Sequence, residues 1–125
     1  MLPHDKVLTR LGISKIHGIG VIAITDIEGG TPLFEYDNTD VVWVNASELA
    51  GMSEKQKRFY EDFCIAKDGG KLYGCPPSFN QLTMAWYMNH SDSPNVEVDE
   101  DYNFRTRDKI NDGEELTIDY SSFSE

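Results

Sequence analysis

The 125-residue chain is long enough for one domain with a hydrophobic core and too short for two. Its formal net charge of −11 disfavours direct nucleic-acid binding, because phosphate contacts need a basic face. The acidity fits either a solvated, soluble surface or attraction to a basic protein or Lys-rich peptide.

Hydropathy and cysteine usage narrow the class of protein further. No stretch approaches the roughly 18 apolar residues of a membrane span, and the start MLPHDKVLTR lacks the apolar core of a signal peptide. We therefore expect an intracellular, cytoplasmic protein with no membrane partner. Cys64 and Cys75 fit unpaired thiols in a reducing compartment, with a disulfide as the alternative. Two cysteines and three scattered histidines are too few for structural zinc, so no metal site is expected.

The first third of the chain has the composition of short strands. The apolar, β-branched segment KIHGIGVIAITDI is interrupted by Gly18 and Gly20 and predicts a strand. A turn is predicted at EGGTP, and LFEY and VVWV are further strand candidates.

The middle third is predicted to be mainly helix and loop. Ser53 and Gln56 have capping-box spacing and open a helix over EKQKRFYEDFC, where Phe59 and Phe63 lie one turn apart. We expect KDGGKLYGCPPSF to be loop with one short strand at most, and NQLTMAWYM to be a short buried helix or turn.

The last third returns to strand patterns at NVEV, YNFRTRDKI and LTIDY, with a turn at NDGEE. Many short strands, one helical insertion and no βαβ alternation predict a β-rich α+β domain.

Two glycines in HGIG suggest either a tight or bulged β-turn or a place where a ligand lies against the backbone. A Rossmann site is disfavoured because Gly20 is followed by the strand pattern VIAITDI and the third glycine is missing.

A polar run, YMNHSDSPNV, follows the apolar LTMAWYM, which indicates either a satisfied polar turn or a binding site. Hydrolytic catalysis by Asn-His-Ser is disfavoured, because adjacent residues of an extended chain point in opposite directions. Near the C-terminus, EELTIDY alone predicts an edge strand that ends in Tyr120.

The order of these motifs is more specific than any one of them. Gly-x-Gly, then Asn-His-Ser-x-x-Pro-Asn, then Gly-Glu-Glu-Leu-Thr-Ile-Asp-Tyr together resemble the SET-domain family of protein lysine methyltransferases over about residues 15–120. The resemblance implies small curved β-sheets with a knot-like C-terminal crossing. We therefore expect one stand-alone domain over 1–125, with a core of about 15–120 and a helical insert of about 45–80. Many members of the family carry zinc-binding cysteine clusters on both sides of the domain, and this sequence has neither.

The resemblance also implies S-adenosylmethionine as cofactor and a lysine channel. The residues it places against the cofactor are Gly18, Ile19, Gly20, Tyr60, Asn89 and His90. Tyr120 would lie at the methyl-transfer point, and Tyr36 would be a second catalytic residue that lines the channel. Ile118 and Phe123 would complete the channel wall.

The implied function is methyl transfer to lysine in a histone or other basic protein, which would allow a nuclear or host-chromatin location. The alternative is a catalytically inactive SET-like module that binds a basic peptide or the cofactor. Trp86 stands where the family often has a basic residue, and Ile118 where many members have Phe or Tyr. The channel wall would come from Phe123, from the substrate or from a second subunit, so a homodimer is one expectation.

Overall fold

The computed structural model describes residues 2–37 and 40–122, which form ten short strands, one α-helix and several 3₁₀ turns. The strands are β1 (Thr9–Ile13), β2 (Ile19–Ala23), β3 (Pro32–Leu33), β4 (Val42–Asn45), β5 (Ile65–Lys67), β6 (Leu72–Cys75), β7 (Asn89–His90), β8 (Val96–Val98), β9 (Phe104–Thr106) and β10 (Glu115–Ile118). The helix α1 spans Glu54–Phe63. The predicted β-rich α+β class is confirmed.

The strands form three small sheets. One has the order β1-β2-β10-β7, the second β3-β9-β8 and the third β4-β6-β5. All pairs are antiparallel except β10 with β7, which run parallel. Parallel neighbours need a long connection, so this pair joins parts of the chain that are distant in sequence.

One hydrophobic core lies where the first two sheets meet. Strand β2 contributes alternate buried residues, Val21 and Ala23, as a strand with one buried face should. The other buried core residues are Ile27, Leu33, Met88, Val96, Ile110, Leu116 and Ile118. The core thus includes residues on both sides of the Asn-His motif and fixes its position.

The predicted helix and its cap are confirmed. The Gln56 N–H donates to Ser53 Oγ at 3.2 Å, and the Ser53 N–H donates to Gln56 Oε1 at 3.1 Å. This reciprocal pair satisfies two backbone donors that the first helical turn leaves without partners. Phe59 and Phe63 stack with ring centroids 6.3 Å apart, as their spacing predicts.

Several strand predictions were wrong. Strand β1 was not predicted, because most of its side chains are exposed and its pairing with β2 holds it in place. In LFEY only Leu33 is in a strand, because Phe34 has a φ of +58° and turns the chain. Strand β5 was not predicted either, while β6 is the short strand expected in the following segment.

The segment NQLTMAWYM contains a 3₁₀ turn over Met84–Tyr87 that is half-buried, so the predicted short helix or turn is present in its shorter form. The Asn-His pair that follows is strand β7 and not a loop. Within residues 2–37 and 40–122, no helix has the length and apolarity to cross a membrane.

Candidate active site

The three sequence motifs meet at the first sheet. Strand β10 pairs with β2 on one side, aligning Leu116 with Val21, and with β7 on the other, aligning Thr117 with Asn89. The Gly-x-Gly turn, the Asn-His motif and the C-terminal motif are therefore neighbours in space. The strand pairing explains why all three can serve one site.

Asn89 is 8% exposed and its side chain is fixed by a polar cluster at the start of β2. Its Nδ2 donates toward the backbone carbonyl oxygens of His17 at 3.0 Å and Ile19 at 3.2 Å. Nδ2 also lies 2.9 Å from Glu115 Oε2 and 3.0 Å from Ser14 Oγ. This cluster holds the Gly-x-Gly turn against the Asn-His motif.

The two glycines of the turn have different structural requirements. Gly18 has a φ of +52°, a left-handed conformation that favours glycine, and a Cβ there would meet nothing within 4 Å. Gly20 is buried, and a Cβ there would lie 2.5 Å from Glu115 Oε2. Gly20 is therefore needed to leave room for the Glu115 carboxylate. Ile19 lies between them with an exposed side chain.

Tyr120 lies at a cavity of about 100 Å³. Its hydroxyl donates to the Met88 carbonyl oxygen at 2.7 Å. Burial raises the pKa of Tyr120 above its ordinary value, and the negative charge of Glu115 raises it further. The phenol therefore stays protonated at neutral pH. Because its one proton goes to Met88, the oxygen can only accept hydrogen bonds from other groups.

The cavity wall is mostly apolar and its edge is acidic. Ile118, which is 2% exposed, lines it, and its role in a lysine channel stays a prediction. The other apolar or aromatic lining residues are Val41, Phe63, Ile65, Ala85, Trp86, Met88, Tyr102 and Phe104. Glu61 and Asp62 are exposed lining residues at the end of α1. Such a site suits a long aliphatic chain with a cationic end.

Cys64 also lines the cavity, and both it and Cys75 are free thiols. A hydrogen bond with Cys75, followed by burial, raises the pKa of the Cys64 thiol. The thiolate is the nucleophilic form of cysteine, so Cys64 is a neutral part of the wall. Within the described ranges no three His, Cys, Asp or Glu side chains come together as metal ligands.

His90 links the Asn-His motif to Tyr120. The Tyr120 backbone N–H donates to His90 Nδ1 at 3.0 Å, and the two rings lie 5.2 Å apart between centroids. His90 Nε2 is 2.9 Å from Asp92 Oδ1. His90 thus contacts the residue that lines the cavity, while its neighbour Asn89 is part of the polar cluster.

The structure does not bring Tyr36 to the Tyr120 cavity. Tyr36 is 77% exposed and lines a separate groove of about 310 Å³. Its hydroxyl accepts a hydrogen bond from Lys6 Nζ at 3.1 Å, which raises the pKa of Lys6. The positive φ of Phe34 turns the chain just before it. A channel role for Tyr36 stays a prediction.

Two further predicted residues are not placed in the site by the described contacts. Tyr60 packs edge-on against Tyr73 at 6.0 Å and Phe79 at 5.1 Å, in an aromatic cluster between α1 and β6. Its cofactor role stays a prediction, and burial raises the pKa of its phenol. Phe123 lies outside the described residues, so its channel role and closure by a second subunit also stay predictions.

Sequence reasoning missed several residues of the site. Met88 contributes a backbone carbonyl, which no side-chain pattern reveals. Tyr102 and Phe104 line the cavity although they lie in and beside an ordinary strand pattern. Glu115 was within the quoted C-terminal motif, and membership of that motif was the one signal that could have been used, because its contact with Gly20 depends on the pairing of β2 with β10. Ser14 had no recognisable signal.

Comparisons with known proteins identify the family. A family model for the SET domain matches residues 18–121. The chain is 36% identical over 123 residues to histone-lysine N-methyltransferase trr of Drosophila melanogaster, a match that covers 88% of this chain and 5% of that protein. The chain therefore spans about 5% of the length of the curated relative it matches.

Solved structures with a similar fold include two at low sequence identity. A humanized mutant of Chaetomium thermophilum Polycomb Repressive Complex 2 matches at 18% identity and a TM-score of 0.58, covering 92% of this chain and 15% of that one. A candidate histone methyltransferase of Plasmodium falciparum matches at 20% identity and a TM-score of 0.51, covering 90% and 91%. With the family match over residues 18–121, the chain belongs to the SET-domain family.

Proposed function

We propose that this chain transfers a methyl group from S-adenosylmethionine to the side-chain amine of lysine in a basic protein, a histone or a protein of similar charge. The observation that carries the proposal is the position of the Tyr120 hydroxyl, which donates a hydrogen bond to the Met88 carbonyl at the wall of a mostly apolar cavity of about 100 Å³. The name of the Drosophila relative specifies histone lysine, which supports the substrate class.

The cavity has the properties that a lysine side chain requires. Its apolar wall, with Ile118, Trp86 and Phe104, suits the four-carbon stem of lysine. Tyr120 Oη donates its own proton to Met88, so it accepts an N–H from an incoming amine. A hydrogen bond of this kind fixes the direction of the nitrogen lone pair. Orientation of two reactants can supply roughly 7–11 kcal/mol of a reaction barrier.

The lysine amine must lose its proton before it attacks the methyl group. The apolar cavity lowers the pKa of that amine, and the acidic surface raises it. Removal from water lowers the pKa of a lysine from its ordinary value of about 10.4. The negative charges of Glu61 and Asp62 favour the protonated form of the lysine amine and so raise its pKa. We therefore assign these carboxylates, with the net charge of −11, to capture of a basic substrate and the apolar wall to deprotonation.

The residues around Asn89 fit the proposed cofactor. S-adenosylmethionine, when bound, supplies a methyl group on a sulfonium and also carries an ammonium group. Among the described residues, none donates a hydrogen bond to Asn89 Oδ1, while Nδ2 is fully engaged. An acceptor of this kind beside the Gly18–Gly20 turn suits the ammonium. The backbone of Gly18, Ile19 and Gly20 would line the rest of the ligand, with His90 beside it.

Transfer of labelled methyl from S-adenosylmethionine to a panel of histones and other basic proteins tests the proposal, with mass spectrometry to locate the modified residue. We expect label on lysine, reduced about 100-fold or more in Tyr120→Phe because the amine loses its orienting acceptor. Tyr73→Phe is the matched control, since Tyr73 packs against Tyr60 in the α1–β6 cluster and is not among the described residues that line the cavity. Tyr36→Phe, in parallel, tests the channel role predicted for that residue.

Calorimetry with the cofactor alone separates the proposed enzyme from an inactive module. Cofactor binding without transfer to any protein of the panel would favour a SET-like binding module. The absence of cofactor binding by the folded wild type would refute the proposed function. Equal loss of activity in Tyr73→Phe and Tyr120→Phe would refute the specific role of Tyr120.

A further inference from the structure

We infer that Glu115 is a positioning residue for cofactor binding: together with Ser14 it holds the Asn89 side-chain amide with Nδ2 inward, so that Oδ1 accepts from the ammonium group of the ligand. The inference rests on the proposed function for the identity of the ligand. The orientation of the Asn89 amide is inferred separately, from its hydrogen bonds within the protein.

The surroundings of Asn89 Nδ2 determine which way the amide faces. The His17 and Ile19 carbonyls and the Glu115 carboxylate are acceptors, at 3.0, 3.2 and 2.9 Å. An amide rotated by half a turn would place Oδ1 against these oxygens, with no proton between them. The inward position of Nδ2 is therefore set by its neighbours.

Ser14 acts as an acceptor toward Asn89 because its only proton is used elsewhere. Its Oγ lies 2.8 Å from both Glu115 Oε1 and Oε2 and donates to that carboxylate. The same Oγ accepts from the backbone N–H groups of Ile16 at 2.9 Å and His17 at 3.1 Å. Glu115 thus orients the Ser14 hydroxyl, and both then present lone pairs to Asn89 Nδ2.

Glu115 also supplies negative charge that is not neutralised locally. It is half-buried, and among the described residues no Lys, Arg or His forms an ion pair with it. Neutral donors, Ser14 and Asn89, satisfy its oxygens instead. Hydrogen bonds to an ionised acceptor are roughly twice as strong as neutral ones, so this carboxylate holds the Asn89 amide more firmly than a neutral side chain would.

The Asn89 oxygen that would receive the ligand is available to it. Within residues 2–37 and 40–122 no hydrogen bond is made to Oδ1, and no side-chain polar atom there is both buried and without a partner. Oδ1 is therefore in contact with solvent. The inward nitrogen and the outward oxygen together make Asn89 an oriented acceptor.

Cofactor titration by calorimetry tests the inference without any methyl acceptor. We expect Glu115→Ala to raise the dissociation constant of S-adenosylmethionine tenfold or more, and Glu115→Gln, which keeps an acceptor oxygen, to raise it less. Glu114→Ala is the matched control, because Glu114 is exposed and, among the described residues, its carboxylate accepts only from the Asn111 N–H. At saturating cofactor, kcat should change less than the dissociation constant.

A double-mutant cycle shows whether Glu115 acts through Asn89. In an Asn89→Ala background, we expect Glu115→Ala to change the cofactor dissociation constant by less than twofold. Full additivity of the two substitutions would overturn the inference, because a purely structural role of Glu115 would persist without Asn89. If Glu115→Ala fails to fold, the cycle is run with Glu115→Gln.

Nuclear magnetic resonance of the ligand-free protein provides a second readout. The Asn89 Nδ2 protons should exchange slowly with water in the wild type and in Glu114→Ala, and at least tenfold faster in Glu115→Ala. Equal exchange in all three would overturn the inference. This measurement needs no cofactor, so it decides the role of Glu115 even if the wild type binds no S-adenosylmethionine and the proposed function fails.

Discussion

The backbone N–H of Tyr120 donates to Nδ1 of His90 at 3.0 Å, across the parallel pair of strands β7 and β10. Because Nδ1 is the acceptor, the ring proton sits on Nε2, which lies 2.9 Å from Asp92 Oδ1. His90 therefore fixes the backbone from which the Tyr120 side chain reaches Met88. The Asn-His motif positions the C-terminal tyrosine as well as the glycine turn.

Replacing His90 by Ala should impair catalysis more than stability. The substitution removes the acceptor for the Tyr120 N–H and the ring contact at 5.2 Å. We expect the proposed methyl transfer to fall about 10–100-fold, since small displacements of an orienting group are costly. The free energy of unfolding should fall by about 1 kcal/mol. Steady-state kinetics and denaturant unfolding measure the two effects.

Asp92→Ala is the control for His90, because it removes only the partner of Nε2. The Asp92 side chain is 97% exposed, so its loss should change the free energy of unfolding by less than about 0.5 kcal/mol. Comparable losses of activity in the two variants would show that His90 acts through Asp92 and not through Tyr120.

The close approach of Gly20 and Glu115 predicts that substitutions at these two positions have coupled effects on the free energy of unfolding. In Gly20→Ala the new Cβ would lie 2.5 Å from Glu115 Oε2, so we expect a loss of about 1–3 kcal/mol in the free energy of unfolding. Most of that loss should disappear in a Glu115→Ala background, where the contact no longer exists. Denaturant titrations of the single and double variants measure the coupling.

Gly18→Ala is the matched glycine control. Its cost, about 1–2 kcal/mol, should come from the left-handed backbone conformation and not from a contact. That cost should therefore be the same with or without Glu115. An equal Gly20→Ala penalty in both backgrounds would contradict the role assigned to Gly20.

Asn95 fixes the loop after the Asn-His motif to β10. Its Nδ2 donates to the Glu115 carbonyl at 2.9 Å, and the Thr117 N–H donates to its Oδ1 at 2.8 Å. Asn95→Ala leaves both backbone groups without these partners, so the free energy of unfolding should fall by about 1–3 kcal/mol. Asn80→Ala, at an exposed position, should change it by less than about 0.5 kcal/mol.

The fold class could be predicted from local strand and turn signals, whereas the convergence of the motifs was implied by the resemblance of their order to the SET-domain family. Glycines, the Asn-His pair and the C-terminal Asp-Tyr are recognisable wherever they lie. The capped helix after Ser53 was predictable for the same reason, since a capping box involves residues three apart.

The remaining features depend on contacts between distant residues. The placement of Tyr36 follows from the positive φ of Phe34, which the strand-like pattern of LFEY does not reveal. The role of Gly20 follows from the pairing of β2 with β10, which places the Glu115 side chain against it. Strand register and backbone carbonyls such as that of Met88 leave little trace in a single sequence.

The elevated pKa of Tyr120 predicts its behaviour in alkaline solution. Burial raises the pKa of both Tyr60 and Tyr120 above the ordinary tyrosine value of 10.0, because it disfavours the phenolate. Since the folded pKa is raised, the stability contributed by protonated Tyr120 is fully present below about pH 10 and is lost as the pH rises through the folded pKa. Titration of phenolate absorbance in the wild type and Tyr120→Phe measures this directly. We expect the variant to lack a tyrosine that ionises at high pH. If it instead lacks one that ionises at or below pH 10, the result would contradict both the burial of the Tyr120 hydroxyl and its hydrogen bond to Met88.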